Sequence, residues 1–284
     1  MPKTGIVVDS TCDLGPRWLE SNNVSMVPLK VLFGDQTFLD GIDLTPAEFY
    51  SKLVSSPVLP KTSQPSPAEF AEVYKALASD GCTEIVSIHL SSAISGTFES
   101  ATMAAADSPI PVRLVDTRSV TQAAGLIVKG AVAARDAGVD SAAIEAVARS
   151  LSTSTRMFFV PDTLEYLVKG GRAGKAQGLA ASLLNIKPIL TFNPDGIIEP
   201  FKKVKGMKRA LTELTAQILR DSQEKGRLRL IVFHAAAPEL AEELRSMVID
   251  AGVDCELDPI DWVGSVIGTY GGPNAVGCAY HPMI

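Results

Sequence analysis

The chain has 284 residues, long enough for two domains of ordinary size. An apolar share of 46%, with 6% aromatic and 20% charged residues, excludes a disordered chain, because it can bury enough surface to offset ordering entropy. The net charge of −6 argues against a nucleic-acid partner. The densest basic stretch (Lys202, Lys203, Lys205, Lys208 and Arg209) reads first as a solvated face, and otherwise as a contact for an anionic ligand or a partner.

In chain order, residues 5–9 read as a short apolar strand, and a helix follows with Pro16 near its start and Trp18 and Leu19 facing inward. Residues 24–33 read as one strand, with a turn at Gly34-Asp35. Thr45-Pro46-Ala47-Glu48 and Ser66-Pro67-Ala68-Glu69 are capping boxes with proline at the first helical position, so helices are expected over about 46–55 and 67–79. Strands follow at 84–90 and 112–116, and helices at about 97–106, 118–137 and 141–152. Strands alternating with helices at this spacing imply a mostly parallel sheet.

The pattern then shifts. A strand is expected over 157–160 and a short helix over 163–168, before Lys169-Gly170-Gly171-Arg172 breaks the chain. A helix over 179–184 precedes a strand at 187–192, which Asn193-Pro194-Asp195-Gly196 turns into a partner at 197–203. Helices over 207–224 and 238–250 and strands over 228–234 and 255–260 form a second α/β layer. The segment 264–277 is rich in Gly and Pro and leads to a last strand ending near Tyr280. The fold class is thus α/β with two α/β domains, residues 1–158 on a mostly parallel sheet flanked by helices and residues 159–284 on a mixed sheet with helices. The best cut lies near 156–162.

No charged segment followed by an apolar one opens the chain, and no apolar run reaches the roughly 18 residues of a membrane span. Cys12, Cys82, Cys255 and Cys278 are scattered and read as reduced thiols. A cytoplasmic protein is expected, with no transmembrane segment and at most a transient membrane-surface contact.

His89, His234 and His281 lie far from any ligand-spaced partner and read as satisfied structural histidines rather than metal ligands. No Walker A, G-x-G-x-x-G or G-x-S-x-G motif is present, so ordinary nucleotide enzymes and serine hydrolases are not supported. What remains are hydroxyl-rich loops at strand ends: Asp9-Ser10-Thr11, Lys61-Thr62-Ser63-Gln64-Pro65, Ser91 to Thr97 and Asp116-Thr117-Arg118-Ser119. Ser and Thr also serve as helix caps, but the Ser91–Thr97 loop holds more hydroxyls than one cap needs. Gly96 lets a ligand approach the backbone, and the helix start favours an anion. An anion held by hydroxyls suggests a small carboxylate or phosphate head.

Together, Val8-Asp9-Ser10-Thr11, Lys61-Thr62-Ser63-Gln64-Pro65, Ser91-Ser92-Ala93-Ile94-Ser95-Gly96-Thr97, Val115-Asp116-Thr117, Tyr166 to Arg172, Leu184-Asn185-Ile186-Lys187-Pro188-Ile189-Leu190 and Gly268-Thr269-Tyr270-Gly271-Gly272-Pro273 resemble the DegV family of bacterial fatty-acid-binding proteins, over essentially the whole chain. The resemblance implies a non-catalytic lipid carrier without a cofactor, which buries one long-chain acid such as palmitate or oleate and, in several members, presents it to a separate fatty-acid kinase. It implies that Thr62 and Ser95 hold the carboxylate, with Gly96 supplying an N–H. Ser63 and Ser92, from the same segments, and Tyr270 complete the expected ligand set, while Arg172 and Lys205 are expected to meet a partner. Many members carry His where Tyr270 stands. Tyr keeps a donor for the carboxylate but has no protonated form near neutral pH, so the exchange bears on the kinase step more than on binding. Asn274 replaces a family Gly, and Lys205 stands where Arg is common. Two other readings stay open from the residues alone: a small-molecule phosphoryl-transfer enzyme, which would need an Mg²⁺-binding carboxylate cluster, and a regulatory interaction module using the face from Lys202 to Arg209.

Overall fold

The computed structural model describes residues 3–182 and 186–283, the side chains of 180–182 excepted. Strand β1 (Thr4–Asp9) is buried along its whole length. Its last residue caps a single 3-10 turn, Ser10–Cys12, by accepting from Thr11 N. Helix α1 (Pro16–Ser21) begins on a proline, whose missing N–H has no partner to lose at that position. Then come β2 (Val24–Val27), β3 (Lys30–Phe33) and β4 (Gln36–Leu39). The single strand expected over 24–33 is therefore two: Pro28 has no N–H for a ladder, and the chain passes there from one sheet to another.

Helices α2 (Pro46–Ser55) and α3 (Pro67–Ser79) both open on complete capping boxes. Between them Lys61–Ser63 forms strand β5 rather than the expected loop. Strand β6 (Glu84–His89), helix α4 (Thr97–Ala106) and strand β7 (Val112–Asp116) fall where expected. Helix α5 (Thr121–Asp136) starts later than 118, because Arg118 holds positive φ and Val120 is extended, and α6 (Ser141–Ser154) follows. The strand order β2-β1-β6-β7 makes a wholly parallel sheet, while β4-β3-β5 makes a separate antiparallel one.

The second half comprises β8 (Arg156–Val160), α7 (Glu165–Lys169), β9 (Ile186–Phe192), β10 (Ile198–Lys205), α8 (Met207–Lys225), β11 (Leu228–Ala235), α9 (Pro238–Asp250), β12 (Cys255–Leu257), β13 (Asp261–Trp262), α10 (Ser265–Gly271) and β14 (Ala275–Pro282). Of the helix expected over 179–184, residues up to Ser182 belong to a 3-10 stretch, Gly174–Ser182, and Leu183, Leu184 and Asn185 lie outside the described residues. The strand expected over 255–260 stops at Leu257 and resumes as β13 beyond Pro259. The Gly-rich tail contains a helix, α10, that its composition conceals.

These strands form one mixed sheet in the order β10-β9-β8-β14-β11-β12, with β13 also beside β11. The expected division between 158 and 159 falls inside β8. Alternation along the strands sends Phe158, Val232, Cys278 and Tyr280 under α8 and α9. It sends Met157, Phe159, Phe233 and Ala275 to the other face, where they join Val31, Phe49, Leu126 and Val266 from the small sheet, α2, α5 and α10. This shared core runs between the two halves, and it contains a cavity.

Candidate binding cavity

The cavity is narrow and open at one side: its own volume is about 80 Å³, and about 800 Å³ of atom-free space is reached when the solvent at its mouth is included. Its walls are apolar: Leu29, Leu90, Phe159, Leu167, Phe233 and Val266 are among them. Thr62, Ser95, Thr121, Arg172 and Tyr270 are the polar side chains on its lining.

Thr62 stands at the middle of β5, paired with Val31 of β3. Tyr270 stands on α10, and the two hydroxyls share a hydrogen bond of 2.5 Å. Ser95 precedes α4, its Oγ accepting from Thr97 N and sharing a hydrogen bond with Thr97 Oγ1. Gln64 links the segments, because its side chain lies over Gly96 and donates to Ser100 Oγ. A Cβ on Gly96 would fall 2.4 Å from Gln64 Oε1, so glycine there admits that contact.

Arg172 has its guanidinium 4.8 Å from the centre of the Tyr270 ring and donates to Gly170 O. The Tyr270 ring also lies on Gly170, where a Cβ would fall 2.4 Å from its Cδ1. The cavity's polar residues thus include a planar cation as well as hydroxyls, which the sequence reading, placing Arg172 at a partner surface, did not assign to the cavity. The other expected residues lie elsewhere. Ser92 donates to Asp116 Oδ2 at 2.6 Å, and exposed Ser63 donates to Gln64 O; neither lines the cavity. Lys205 is exposed at the end of β10. In the basic stretch, Lys202 and Arg209 both pair with Glu213.

Two buried networks position these elements. His89 Nδ1 lies 3.1 Å from Asp9 Oδ2 and its Nε2 2.7 Å from Ser87 Oγ, which in turn meets Tyr74 OH. Burial opposes ionisation of Asp9, but His89, Thr11 N and Oγ1, and Leu90 N outweigh it and hold the carboxyl below its ordinary value. Leu90, a cavity wall, is thereby tied to β1 just ahead of the Ser95 loop. His234 accepts from Ala237 N, and His281 is packed against Pro282 O. Among the described residues no group of His, Cys, Asp or Glu is placed to hold a metal ion.

The second network anchors α10. Asp13 Oδ2 accepts from Gly264 N at 2.9 Å, Asp40 Oδ1 from Ser265 N at 3.2 Å, and Tyr50 OH donates to Val263 O. Burial pushes the Asp40 carboxyl up to about 6, against the opposing pull of Ser10 and the Ser265 and Val266 amides. Burial and the charge of Asp40 raise Asp13 as well. Nothing local in the sequence marks these two aspartates, because their partners lie more than 200 residues away.

An apolar cavity whose few polar side chains are two neutral hydroxyls in contact, two further hydroxyls (Ser95 and Thr121) and an exposed guanidinium has the make-up of a site for an amphiphile with an anionic head. The family model described as "Uncharacterised protein, DegV family" matches residues 3–283. A DegV domain-containing protein of Streptomyces coelicolor is 38% identical over 275 residues, 96% of each chain. The structure of a fatty-acid-binding DegV family protein from Thermus thermophilus superposes with a TM-score of 0.93 at 31% identity, covering 99% of this chain and 100% of that one. A stearic-acid-binding protein from Eubacterium ventriosum gives 0.87 at 27%, covering 99% and 98%. The chain belongs to the DegV family.

Proposed function

We propose that this protein binds one long-chain fatty acid, of the palmitate or oleate class, with its carboxylate at Thr62, Ser95 and Tyr270 and its acyl chain in the apolar cavity. The observation that carries this is the contact of Thr62 and Tyr270 on the lining of a largely apolar cavity. A carboxylate leaving water needs several donors at once; the three hydroxyls and the guanidinium of Arg172 provide them, while Gly96 lies off the lining beneath Gln64. Each buried methylene then contributes about 0.8 kcal/mol before ordering costs. The fatty-acid ligands of the Thermus and Eubacterium relatives support the same reading.

In this reading the protein is a carrier and not itself an enzyme. Residues 1–158 bring the hydroxyls of Thr62 and Ser95, and residues 159–284 bring most of the acyl-facing wall together with Tyr270 and Arg172. Presentation of the bound acid to a separate kinase is part of the proposal, with exposed Lys205 and Arg172 available to meet it. Solvent extraction and mass spectrometry of the purified protein are expected to release an acyl chain, and stripped protein is expected to take up added palmitate or oleate. Failure of both removes the proposal. Ser95→Ala is expected to cost roughly 1–3 kcal/mol of affinity; an unchanged affinity places the head group elsewhere.

A further inference from the structure

We propose that Met157 and Phe192 form the inner end wall of the cavity and set the longest acyl chain it accepts. The inference rests on the fatty-acid reading above.

Strand register shows how the cavity runs. On the sheet face that lines it, the rungs are Ala235–Ala275, then Phe233–Gly277–Phe159, then Ile231–Ala279–Met157. Ala275 follows α10, the helix that carries Tyr270, so the first rung lies nearest the polar residues. Four residues of extended chain from Ala275 to Ala279 cover about 13 Å. Each rung contributes to the lining (Ala235 and Ala275, then Phe233 and Phe159, then Met157), and the Phe233 ring covers Gly277, where a Cβ would fall 2.5 Å from it.

The innermost rung is where the cavity meets a barrier, Met157. Strand β8 pairs Phe159 with Leu190 and Phe158 with Thr191, and continuing that antiparallel register by one residue sets Met157 beside Phe192. Phe192 in turn pairs with Ile198 of β10. Both Met157 and Phe192 line the apolar cavity, and both also line a polar cleft beyond it, with Ser119, Arg149, Arg156 and Thr191. They are therefore a partition one side chain thick. An acyl chain too long for the cavity must displace them and expose its methyl end to guanidinium and hydroxyl groups. Met157 is held from the cleft side by Ser119 Oγ, 3.8 Å from its sulfur. Its unbranched side chain is of the kind that fills irregular gaps, suited to closing a space of variable depth.

The test uses the full-length stripped protein and saturated acids from lauric to behenic. Wild-type affinity is expected to rise about fourfold per added methylene up to a limit and to fall beyond it. Met157→Ala and Phe192→Leu are expected to move that limit to longer acids, improving the ratio of the first excluded acid to the optimum on the order of tenfold. A merely structural role would weaken all acids alike and leave the optimum in place. Thermal melts establish which variants fold, and if Met157→Ala does not, the milder change at partly buried Phe192 decides the matter. Folded variants with the wild-type optimum overturn the inference, as does a wild type with no upper limit. A wild type that binds none of these acids overturns the fatty-acid reading itself, and this one with it.

Discussion

The hydroxyls of Thr62 and Tyr270, 208 residues apart in sequence, lie 2.5 Å from each other and join the small antiparallel sheet to α10. In that arrangement one donates to the other, and among the described residues neither hydroxyl has a second protein partner. A carboxylate arriving there replaces one neutral hydrogen bond with two charge-assisted ones, which are about twice as strong each. Thr62→Val and Tyr270→Phe are each expected to weaken fatty-acid binding by roughly 1–3 kcal/mol, read by titration of stripped protein. The double variant is expected to lose less than the sum, since each single change already frees the remaining hydroxyl. Tyr270→His is expected to leave binding nearly unchanged and to raise turnover by a fatty-acid kinase. Wild-type protein that already serves such a kinase fully would sink that second expectation.

Gly170 controls the same tyrosine from beneath. Its missing Cβ admits the Tyr270 ring, and the backbone carbonyl of Tyr166 lies 2.9 Å from where that atom would be. Gly170→Ala therefore pushes the ring away from Thr62 without touching the apolar wall. Affinity is expected to fall by about tenfold with all acids alike, as expected for one lost head-group bond. Retention of full affinity would show that Tyr270 is not positioned by this contact.

The Asp9–His89 pair makes a stability prediction. Its two side chains are almost wholly buried, and the carboxylate also accepts from Thr11 and Leu90. Breaking such a pair leaves an unmatched polar group, so Asp9→Ala is expected to cost roughly 3–5 kcal/mol in denaturant unfolding. Because the folded-state carboxyl is held below its ordinary value of 3.8, its stabilisation is present above that pH and is lost as pH falls beneath it. A variant as stable as the wild type at pH 7 contradicts this role.

Local signals made much of the fold legible. Thr45 with Glu48 and Ser66 with Glu69 cap helices within four residues, so nothing distant was needed to read them. The parallel strands β1, β6 and β7 were equally plain as short apolar runs. Pairing over distance was not. Strand β5 is three residues long, and only its ladder with β3 makes it a strand. Helix α10 contains Gly268 and Gly271, so its propensity is poor, and it stands because its start is tied to Asp13 and Asp40 and its end is packed beneath α7. For the site, the hydroxyl-rich loops that hold Thr62 and Ser95 were visible in the residues themselves, but only the family pattern singled out those two side chains and Tyr270. The place of Arg172 on the lining and of Met157 at the inner end depends on which side chains meet in space, which no spacing expresses.

Asp40 links the anchoring of α10 to pH. The carboxyl is 3% exposed and is pushed up to about 6, chiefly by burial. Between the unfolded value near 3.8 and that folded value, the native state binds more protons than the unfolded chain. Its contribution is thus fully present below about pH 4 and is lost as pH rises through 6. A shift of this size corresponds to about 3 kcal/mol. Asp40→Asn keeps an acceptor for Ser265 N while removing the titration. The stability of the wild type relative to the variant, measured by urea unfolding from pH 4 to pH 7, is expected to fall by up to that amount. His234 and His281, both held below their ordinary values by burial, titrate in an overlapping range with the opposite sign. They are common to both proteins and cancel in the comparison, so a difference that stays flat across the range would show that Asp40 is ionised throughout and that burial does not govern it.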